Sequence, residues 1–297
     1  MTRVWAVMWL VAAVYAPAQQ STFRSSVETV RVDVLATRDG RPLVGLSAAD
    51  FEVRDNGALQ TIDQVLFEEV PLNVVLMIDG SGSVEGERAR QLVEASRNLI
   101  DQLKPHDQAA LVAFGDDVMV RSGLTHNMNA IRTALDKTLP FGETALIDAA
   151  YAALLTGESQ PGRALIVVFS DGVEVSSYLP PQSVIDLAKR TDGVVYGVSP
   201  KSVRRPPFLR DLTDASGGDL LEIQSNSEID QAFRRILDEF RQRYLLSFTP
   251  RGVDKTGWHR LQVRVKKAGV SVKGRPGICA INSGEQPVAN VSTHPTV

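Results

Sequence analysis

The chain has 297 residues, of which 43% are hydrophobic and 23% are charged, so it can bury a full core and has room for two domains. The formal net charge is −3 and no basic stripe is present, which argues against a nucleic-acid partner. Cys279 is the single cysteine, so no intramolecular disulfide can form.

Residues 1–18 have the pattern of a secretory signal peptide. Arg3 supplies a positive charge, residues 4–14 are apolar, and Ala16-Pro17-Ala18 fits an Ala-x-Ala cleavage site. The apolar run is shorter than the ~20 residues that a spanning helix needs, and no later segment is long and apolar enough. We therefore expect an exported protein, periplasmic or extracellular, with no membrane span in the mature chain.

Residues 27–67 have the pattern of a small antiparallel β segment. Val30, Val32 and Val34 alternate with polar residues, as in a half-buried strand. Asp39-Gly40 and Asn56-Gly57 are dipeptides typical of two-residue hairpin turns.

A continuous apolar run over residues 72–78 is followed by Asp79, Ser81 and Ser83. Such a run predicts a strand that is buried on both faces, in the middle of a parallel sheet. Ligands of open α/β sheets collect at the carboxyl ends of these strands. A carboxylate and two hydroxyls at alternate positions are hard oxygen donors, which suit Mg²⁺, Mn²⁺ or Ca²⁺ rather than zinc.

Strand and helix patterns alternate over residues 71–241, as in a doubly wound α/β sheet. The predicted helices cover residues 89–103, 128–138, 145–155 and 183–190, then a segment starting at Pro206-Pro207, and last the segment after a capping box at residues 225–228. The predicted strands after the first cover residues 109–114, 118–121, 165–169, 194–198 and 220–223. The strand at 118–121 follows its neighbour so closely that it should pair antiparallel at an edge.

Two further polar residues occupy loop or strand ends. Thr144 lies in a glycine-containing loop just before a predicted helix, and Asp171 follows the buried strand at 165–169. With these residues the chain resembles the von Willebrand factor A (VWA) domain, whose metal-ion-dependent adhesion site combines Asp-x-Ser-x-Ser with a distant Thr and a distant Asp. The resemblance implies a Rossmann-like fold and five metal-binding residues: Asp79, Ser81, Ser83, Thr144 and Asp171.

The same resemblance implies how the site works. The residue at the position of Asp171 reaches the metal through water, and an Asp or Glu of a partner protein completes the coordination shell. Because Thr144 is on a loop that we expect to be exposed, we expect Thr144→Ala to affect partner binding more than stability.

The segments on either side resemble the bacterial family of VWFA-related domain proteins, through residues 37–53 and 257–277. Residues 244–278 contain three predicted strands, at 244–248, 258–265 and 270–273. We expect residues 27–67 and 244–278 to pack together as one small sandwich-like β domain, with the VWA domain, residues 71–241, inserted between them. Residues 281–297 lack periodicity and predict a disordered tail.

Motifs for catalysis are missing from the sequence. It contains neither the Gly-x-x-x-x-Gly-Lys-Ser/Thr phosphate loop nor the Gly-x-Ser-x-Gly elbow. Ser81 stands where a phosphatase of the haloacid dehalogenase type needs its second aspartate. The histidines lack the paired spacing of a zinc site: His106, His126, His259 and His294.

We therefore expect a non-enzymatic, exported protein-binding or adhesion module. It would hold Mg²⁺, or Mn²⁺ or Ca²⁺ in its place, and use the ion to dock an acidic residue of a partner. Two alternatives stay open, namely a structural envelope protein whose metal only stabilises the fold, and a Mg²⁺-dependent hydrolase.

Overall fold

The computed structural model describes residues 29–68, 70–81, 86–137, 142–170, 174, 176–201 and 207–280. The predicted signal peptide at 1–18 and the predicted disordered tail at 281–297 lie outside these ranges. Ser83 and Asp171, two of the five predicted metal-binding residues, also lie outside them.

The first described segment is a series of short strands. They are β1 (Val30–Arg38), β2 (Arg41–Pro42), β3 (Phe51–Asp55), β4 (Ala58–Gln60) and β5 (Ile62–Phe67), with a 3₁₀ turn at Ala48–Asp50 before β3. Both predicted hairpin turns are present. Asp39 and Gly40 have φ values of 50° and 73°, and Asn56 and Gly57 have values of 46° and 86°. Positive φ at both central residues is the requirement of a type I′ turn, which these dipeptides satisfy at little cost.

A six-stranded sheet forms the centre of the α/β domain. Its strands are β6 (Leu72–Asp79), β7 (Gln108–Phe114), β8 (Val118–Thr125), β9 (Arg163–Phe169), β10 (Val194–Pro200) and β11 (Leu220–Ile223). They lie in the order β11-β10-β9-β6-β7-β8, and all neighbours are parallel except β8, which runs antiparallel to β7 at one edge. Every residue of β6 is buried. The predicted doubly wound, mostly parallel sheet is thereby confirmed.

Helices cover both faces of this sheet. They are α1 (Glu87–Asp101), α2 (Met128–Asp136), α3 (Leu146–Gly157), α4 (Pro181–Ala188), α5 (Pro207–Ser216) and α6 (Ile229–Arg241). Buried side chains of α1, α2 and α6 share one core with the sheet, and those of α3, α4 and α5 share a second core on the opposite face.

The start of α6 differs from the prediction. Residues Asn226–Glu228 form a 3₁₀ turn, and α6 begins only at Ile229. The Glu228 N–H donates to the backbone carbonyl of Ser225 (3.1 Å) and not to its side chain. The prediction of a capping box is therefore wrong, because such a box requires the Ser225 side chain to accept the Glu228 N–H. In the 3₁₀ turn the Ser225 carbonyl accepts it instead.

The last strands return to the first segment. They are β12 (Tyr244–Phe248), β13 (Gly257–Val265), β14 (Val270–Gly274) and β15 (Gly277–Ala280), of which β15 was not predicted. One antiparallel sheet has the order β14-β1-β12-β5, with β2 on β1, and the other has the order β15-β13-β3-β4. Phe51 and Leu261 from one sheet and Val32 and Phe248 from the other lie in one core. The two β segments thus pair strand to strand and form a sandwich.

A buried ion pair joins the sandwich to the α/β domain. The Arg163 guanidinium, at the start of β9, contacts the Asp33 carboxylate of β1, and both side chains are buried. The same guanidinium donates to the Phe240 carbonyl of α6 (3.3 Å) and lies 4.7 Å from the centre of the Phe240 ring. One arginine therefore ties together a strand of each domain and the closing helix.

Candidate metal site

The carboxylate of Asp79 is buried and fixed at the end of β6. Its Oδ1 accepts the N–H of Ser81 (2.9 Å), which is also buried. Its Oδ2 accepts the hydroxyl of Ser170 (2.8 Å), which follows the neighbouring strand β9. Both oxygens are thus oriented, one by the Asp79–Ser81 turn itself and the other by the adjacent strand.

The loop of Thr144 is held beside the loop of Asp79 by the end of β7. The Gly80 N–H donates to the Phe114 carbonyl (2.7 Å), and the Ala145 N–H donates to the Gly115 carbonyl (2.9 Å). Because Phe114 and Gly115 are consecutive, the two loops lie next to each other. The structure thus brings Asp79, Ser81 and Thr144 to one end of the sheet, while Ser83 and Asp171 lie outside the described residues.

Thr144 is 4% exposed, so the expectation of an exposed loop position is wrong. The backbone bond of Ala145 to Gly115, the residue after β7, holds the loop at this end of the sheet, and Thr144 is buried there. The expectation that Thr144→Ala changes stability only a little therefore loses its physical basis, because truncating a buried side chain carries a cost of its own.

Asp116, which the sequence did not suggest, positions the loop that leads to Thr144. Its carboxylate accepts the N–H of Glu143. Gly142 has φ +67°, and a Cβ atom there would overlap the Asp116 carboxylate. Asp116 thus occupies the space that the glycine leaves free. Its place just after β7, the strand next to β6, was the available signal, because ligand-binding side chains gather at that edge of a parallel sheet.

A second segment caps the N-terminus of α3. The residue before the helix is Ala145, whose side chain cannot accept a hydrogen bond. Instead, the Ile147 N–H donates to Glu174 Oε2 (3.0 Å) and to Ser177 Oγ (3.1 Å). Glu174 and Ser177, which lie 27 and 30 positions after Ile147 in the chain, therefore satisfy this N–H of the first turn.

The same two segments are also bonded in the opposite direction. The Asp148 carboxylate of α3 accepts the N–H groups of Tyr178 and Leu179, each at 2.9 Å. The Ser176 N–H donates to the Thr144 carbonyl (3.2 Å). We call this set of hydrogen bonds, between residues 144–148 on one side and residues 174 and 176–179 on the other, the α3 clamp. Sequence reasoning missed it because its partners are far apart in the chain and none follows a local capping pattern.

The donor chemistry fits a hard divalent cation. Asp79 offers a carboxylate, and Ser81 and Thr144 carry hydroxyls, all of them oxygen donors of the type that Mg²⁺, Mn²⁺ and Ca²⁺ accept. Within the described ranges, no three His, Cys, Asp or Glu side chains form a metal-binding group. A site built from these residues therefore relies on hydroxyls more than on carboxylates, and it contributes little negative charge.

The surface around these loops is acidic. Asp116, Asp117 and Glu143 are exposed, and Glu174 is half-buried nearby in the α3 clamp. A carboxylate that approached this surface alone would meet like charges. A bound divalent cation would reverse that local field.

Residues 74–174 match the family model of the von Willebrand factor type A domain. The UPF0353 protein of Mycolicibacterium gilvum is 26% identical over 221 residues, which covers 63% of this chain and 64% of that protein. The inter-alpha-trypsin inhibitor heavy chain H4 of Bos taurus is 29% identical over 143 residues, 46% of this chain and 15% of that protein. The match to the Mycolicibacterium relative thus spans less than two thirds of its length.

Solved structures show the same fold. Proximal thread matrix protein 1 from the mussel byssus has a TM-score of 0.52 at 15% identity, over 61% of this chain and 49% of that chain. A second structure of that protein has zinc in its metal-ion-dependent adhesion site (MIDAS) motif. A mutant PilB minor pilin of Streptococcus sanguinis has a TM-score of 0.50 at 13% identity, over 59% and 62%. These likenesses establish the VWA-type α/β fold.

Within the described ranges, no helix combines the length and the apolar composition that crossing a membrane requires.

Proposed function

We propose that this chain is an exported protein-binding module whose metal ion docks an acidic residue of a partner protein. The metal would be held by Asp79, Ser81, Ser83 and Thr144, and through water by Asp171. The observation that carries the proposal is the buried, doubly hydrogen-bonded Asp79 carboxylate at the end of the central strand, with the Thr144 loop fixed beside it. VWA domains commonly serve as adhesion or protein-interaction modules, which supports the same conclusion.

The charge balance explains why a carboxylate would be the preferred ligand. Hydroxyl donors coordinate a divalent ion without neutralising it, so the ion stays electron-poor. The surrounding described acidic side chains would repel a free carboxylate, whereas a bound divalent ion would attract it strongly. Partner binding should therefore require the metal, and removing the metal should convert attraction into repulsion.

Of the five described acidic side chains near the site, two, Asp117 and Glu143, are exposed, and the other three hold loops. Asp116, Asp148 and Glu174 each accept backbone N–H groups, and so serve to hold loops. A hydrolase needs a carboxylate or histidine that is free to take a proton from a metal-bound water. These three carboxylates are already committed to structure.

The proposal can be tested by affinity capture from envelope extract of the source organism. Wild-type protein would be compared in Mg²⁺ and in EDTA, alongside Thr144→Val, which removes the hydroxyl, and Thr144→Ser, which keeps it. We expect one set of proteins to be captured by wild type and by Thr144→Ser only when Mg²⁺ is present. Undiminished capture in EDTA would overturn the proposal and leave the metal a structural role.

A further inference from the structure

Tyr178 is the most exposed large hydrophobic side chain of the described residues. It is 94% exposed, whereas the next, Leu59 in the sandwich, is 62% exposed. Large aromatic side chains normally bury much of their surface, and those left in the open are enriched where proteins bind one another.

The backbone of Tyr178 is fixed even though its side chain is exposed. Its own N–H and that of Leu179 both donate to the Asp148 carboxylate. Ser177, one residue earlier, donates its N–H to Glu174 (2.8 Å) and accepts the N–H groups of Ile147 and Asp148 with its hydroxyl. The α3 clamp therefore presents the aromatic ring on a scaffold that is ordered before any partner arrives, which lowers the entropic cost of binding.

The same clamp places Tyr178 beside the candidate metal site. Ser176 donates to the Thr144 carbonyl, and Tyr178 is two residues further on, which the chain can span in about 7 Å. A residue of an extended partner covers roughly 3.3 Å. The ring is therefore within reach of a side chain one to three positions away from a carboxylate bound at the metal.

The outer face of α3 also carries exposed apolar side chains. Tyr151 and Leu155 follow Asp148 at helical spacing, so they lie on the same face of the helix as the carboxylate that holds Tyr178. They are 36% and 48% exposed. We call these three partly or fully exposed apolar side chains, Tyr178 above Asp148 and Tyr151 and Leu155 further along the same helix face, the Tyr178 patch.

We propose that the Tyr178 patch determines specificity by binding an aliphatic or aromatic side chain of the partner, one to three positions from the acidic residue that meets the metal. This inference rests on the proposed function, because the metal sets the position of the acidic residue. The metal supplies a general attraction for carboxylates, and the patch selects among them. Tyr178 is a binding residue in this account and has no part in holding the ion.

The test uses a phage-displayed peptide library with one fixed Asp flanked by random residues, selected on the wild-type protein in Mg²⁺. We expect enrichment of peptides with an aliphatic or aromatic residue one to three positions from the Asp. The binding of an enriched, fluorescently labelled peptide should then weaken about tenfold or more in Tyr178→Ala. It should stay nearly unchanged in Tyr178→Phe, which keeps the ring, and in Leu59→Ala, which removes an exposed side chain of the sandwich.

The possible failures are distinguishable. Metal-dependent binding of Asp peptides without an apolar preference, or with equal affinity for Tyr178→Ala, would overturn the specificity role and leave the proposed function intact. If no peptide binds in a manner that depends on both Mg²⁺ and the fixed Asp, the proposed function fails and the specificity role fails with it. Measuring Mg²⁺ affinity of Tyr178→Ala separates the two, because the inference requires it to equal that of wild type.

Discussion

The ion pair between Arg163 and Asp33 should account for a large share of the coupling between the sandwich and the α/β domain. Arg163→Met keeps most of the side-chain volume and leaves the Asp33 carboxylate, 6% exposed, without this cation. Removing one partner of a buried pair costs about 3–5 kcal/mol. Because the Arg275 guanidinium also attracts the Asp33 carboxylate, we expect the loss in unfolding free energy to lie near the lower end of this range, about 3 kcal/mol.

Arg97→Met provides a matched control. Arg97 pairs with Asp136, and the two side chains are 41% and 50% exposed. A surface pair of this kind contributes about 0–1 kcal/mol. The double variant Asp33→Leu with Arg163→Met should recover part of the loss, since it removes both members of the buried pair.

Urea unfolding can be followed separately in each domain. Far-UV circular dichroism reports the α/β domain, since every described α-helix lies between Glu87 and Arg241. Tryptophan fluorescence reports the sandwich through Trp258 of β13, because the other two tryptophans, Trp5 and Trp9, lie in the predicted signal peptide. In the exported protein, both signals should shift together by about 3 kcal/mol in Arg163→Met. A shift no larger than that of Arg97→Met would show that the buried pair contributes no more than a surface pair.

Three other predictions follow from particular contacts. Gly142→Ala should weaken Mg²⁺ binding measured by calorimetry, because the new methyl group displaces Asp116 from the Thr144 loop. Gly45→Ala is the control, because Gly45 has a similar φ of +75° but open space around it, and Mg²⁺ binding should stay unchanged. Equal effects of the two variants would contradict the prediction. Burial alone would raise the pKa of Asp107, but the hydrogen bonds from Arg241 and from backbone N–H groups outweigh it and hold the pKa below its usual 3.8. The stability that ionised Asp107 contributes is therefore fully present above pH 3.8 and is lost as the pH falls through the lowered pKa. The destabilisation caused by Asp107→Asn, measured by urea unfolding, should be largest near neutral pH and shrink in acid. A difference between the two proteins that does not change with pH would contradict this. Mass spectrometry of protein recovered from cells should show an N-terminus at Gln19, and an intact Met1 on membrane-bound protein would disprove cleavage after Ala18.

The sequence predicted those elements whose signal is local. The apolar run that became β6, the two hairpin dipeptides and the helical stripes each depend on neighbouring residues, and the structure has them within a few positions. The strand β15 was missed because its four residues show no alternation and its order comes from pairing with β13. Patterns among neighbouring residues therefore predicted most helices and strands, whereas β15 depends on pairing with a strand that is distant in the sequence.

Some residues of the candidate site could be predicted from the sequence, and others could not. Asp79 and Ser81 were predicted from the end of a buried strand, and Thr144 was implied by the resemblance to the VWA domain; the structure places their loops together. Asp116, Glu174 and Asp148 were not predicted, because each acts on a backbone N–H group 27 to 31 residues away. Their roles depend on how loops meet in space, which no sequence spacing records. The metal-binding roles of all five residues, Asp79, Ser81, Ser83, Thr144 and Asp171, stay predictions.

The central claim is most directly tested by calorimetric titration of Mg²⁺ into wild-type protein, Thr144→Val and Thr144→Ser. Valine keeps the branched shape without the hydroxyl, and serine keeps the hydroxyl without the methyl group. We expect one site per chain, with Mg²⁺ affinity weakened at least about tenfold in Thr144→Val and largely retained in Thr144→Ser, since only the valine variant lacks the oxygen donor. Equal Mg²⁺ affinity in all three proteins, or no binding to wild type, would contradict it.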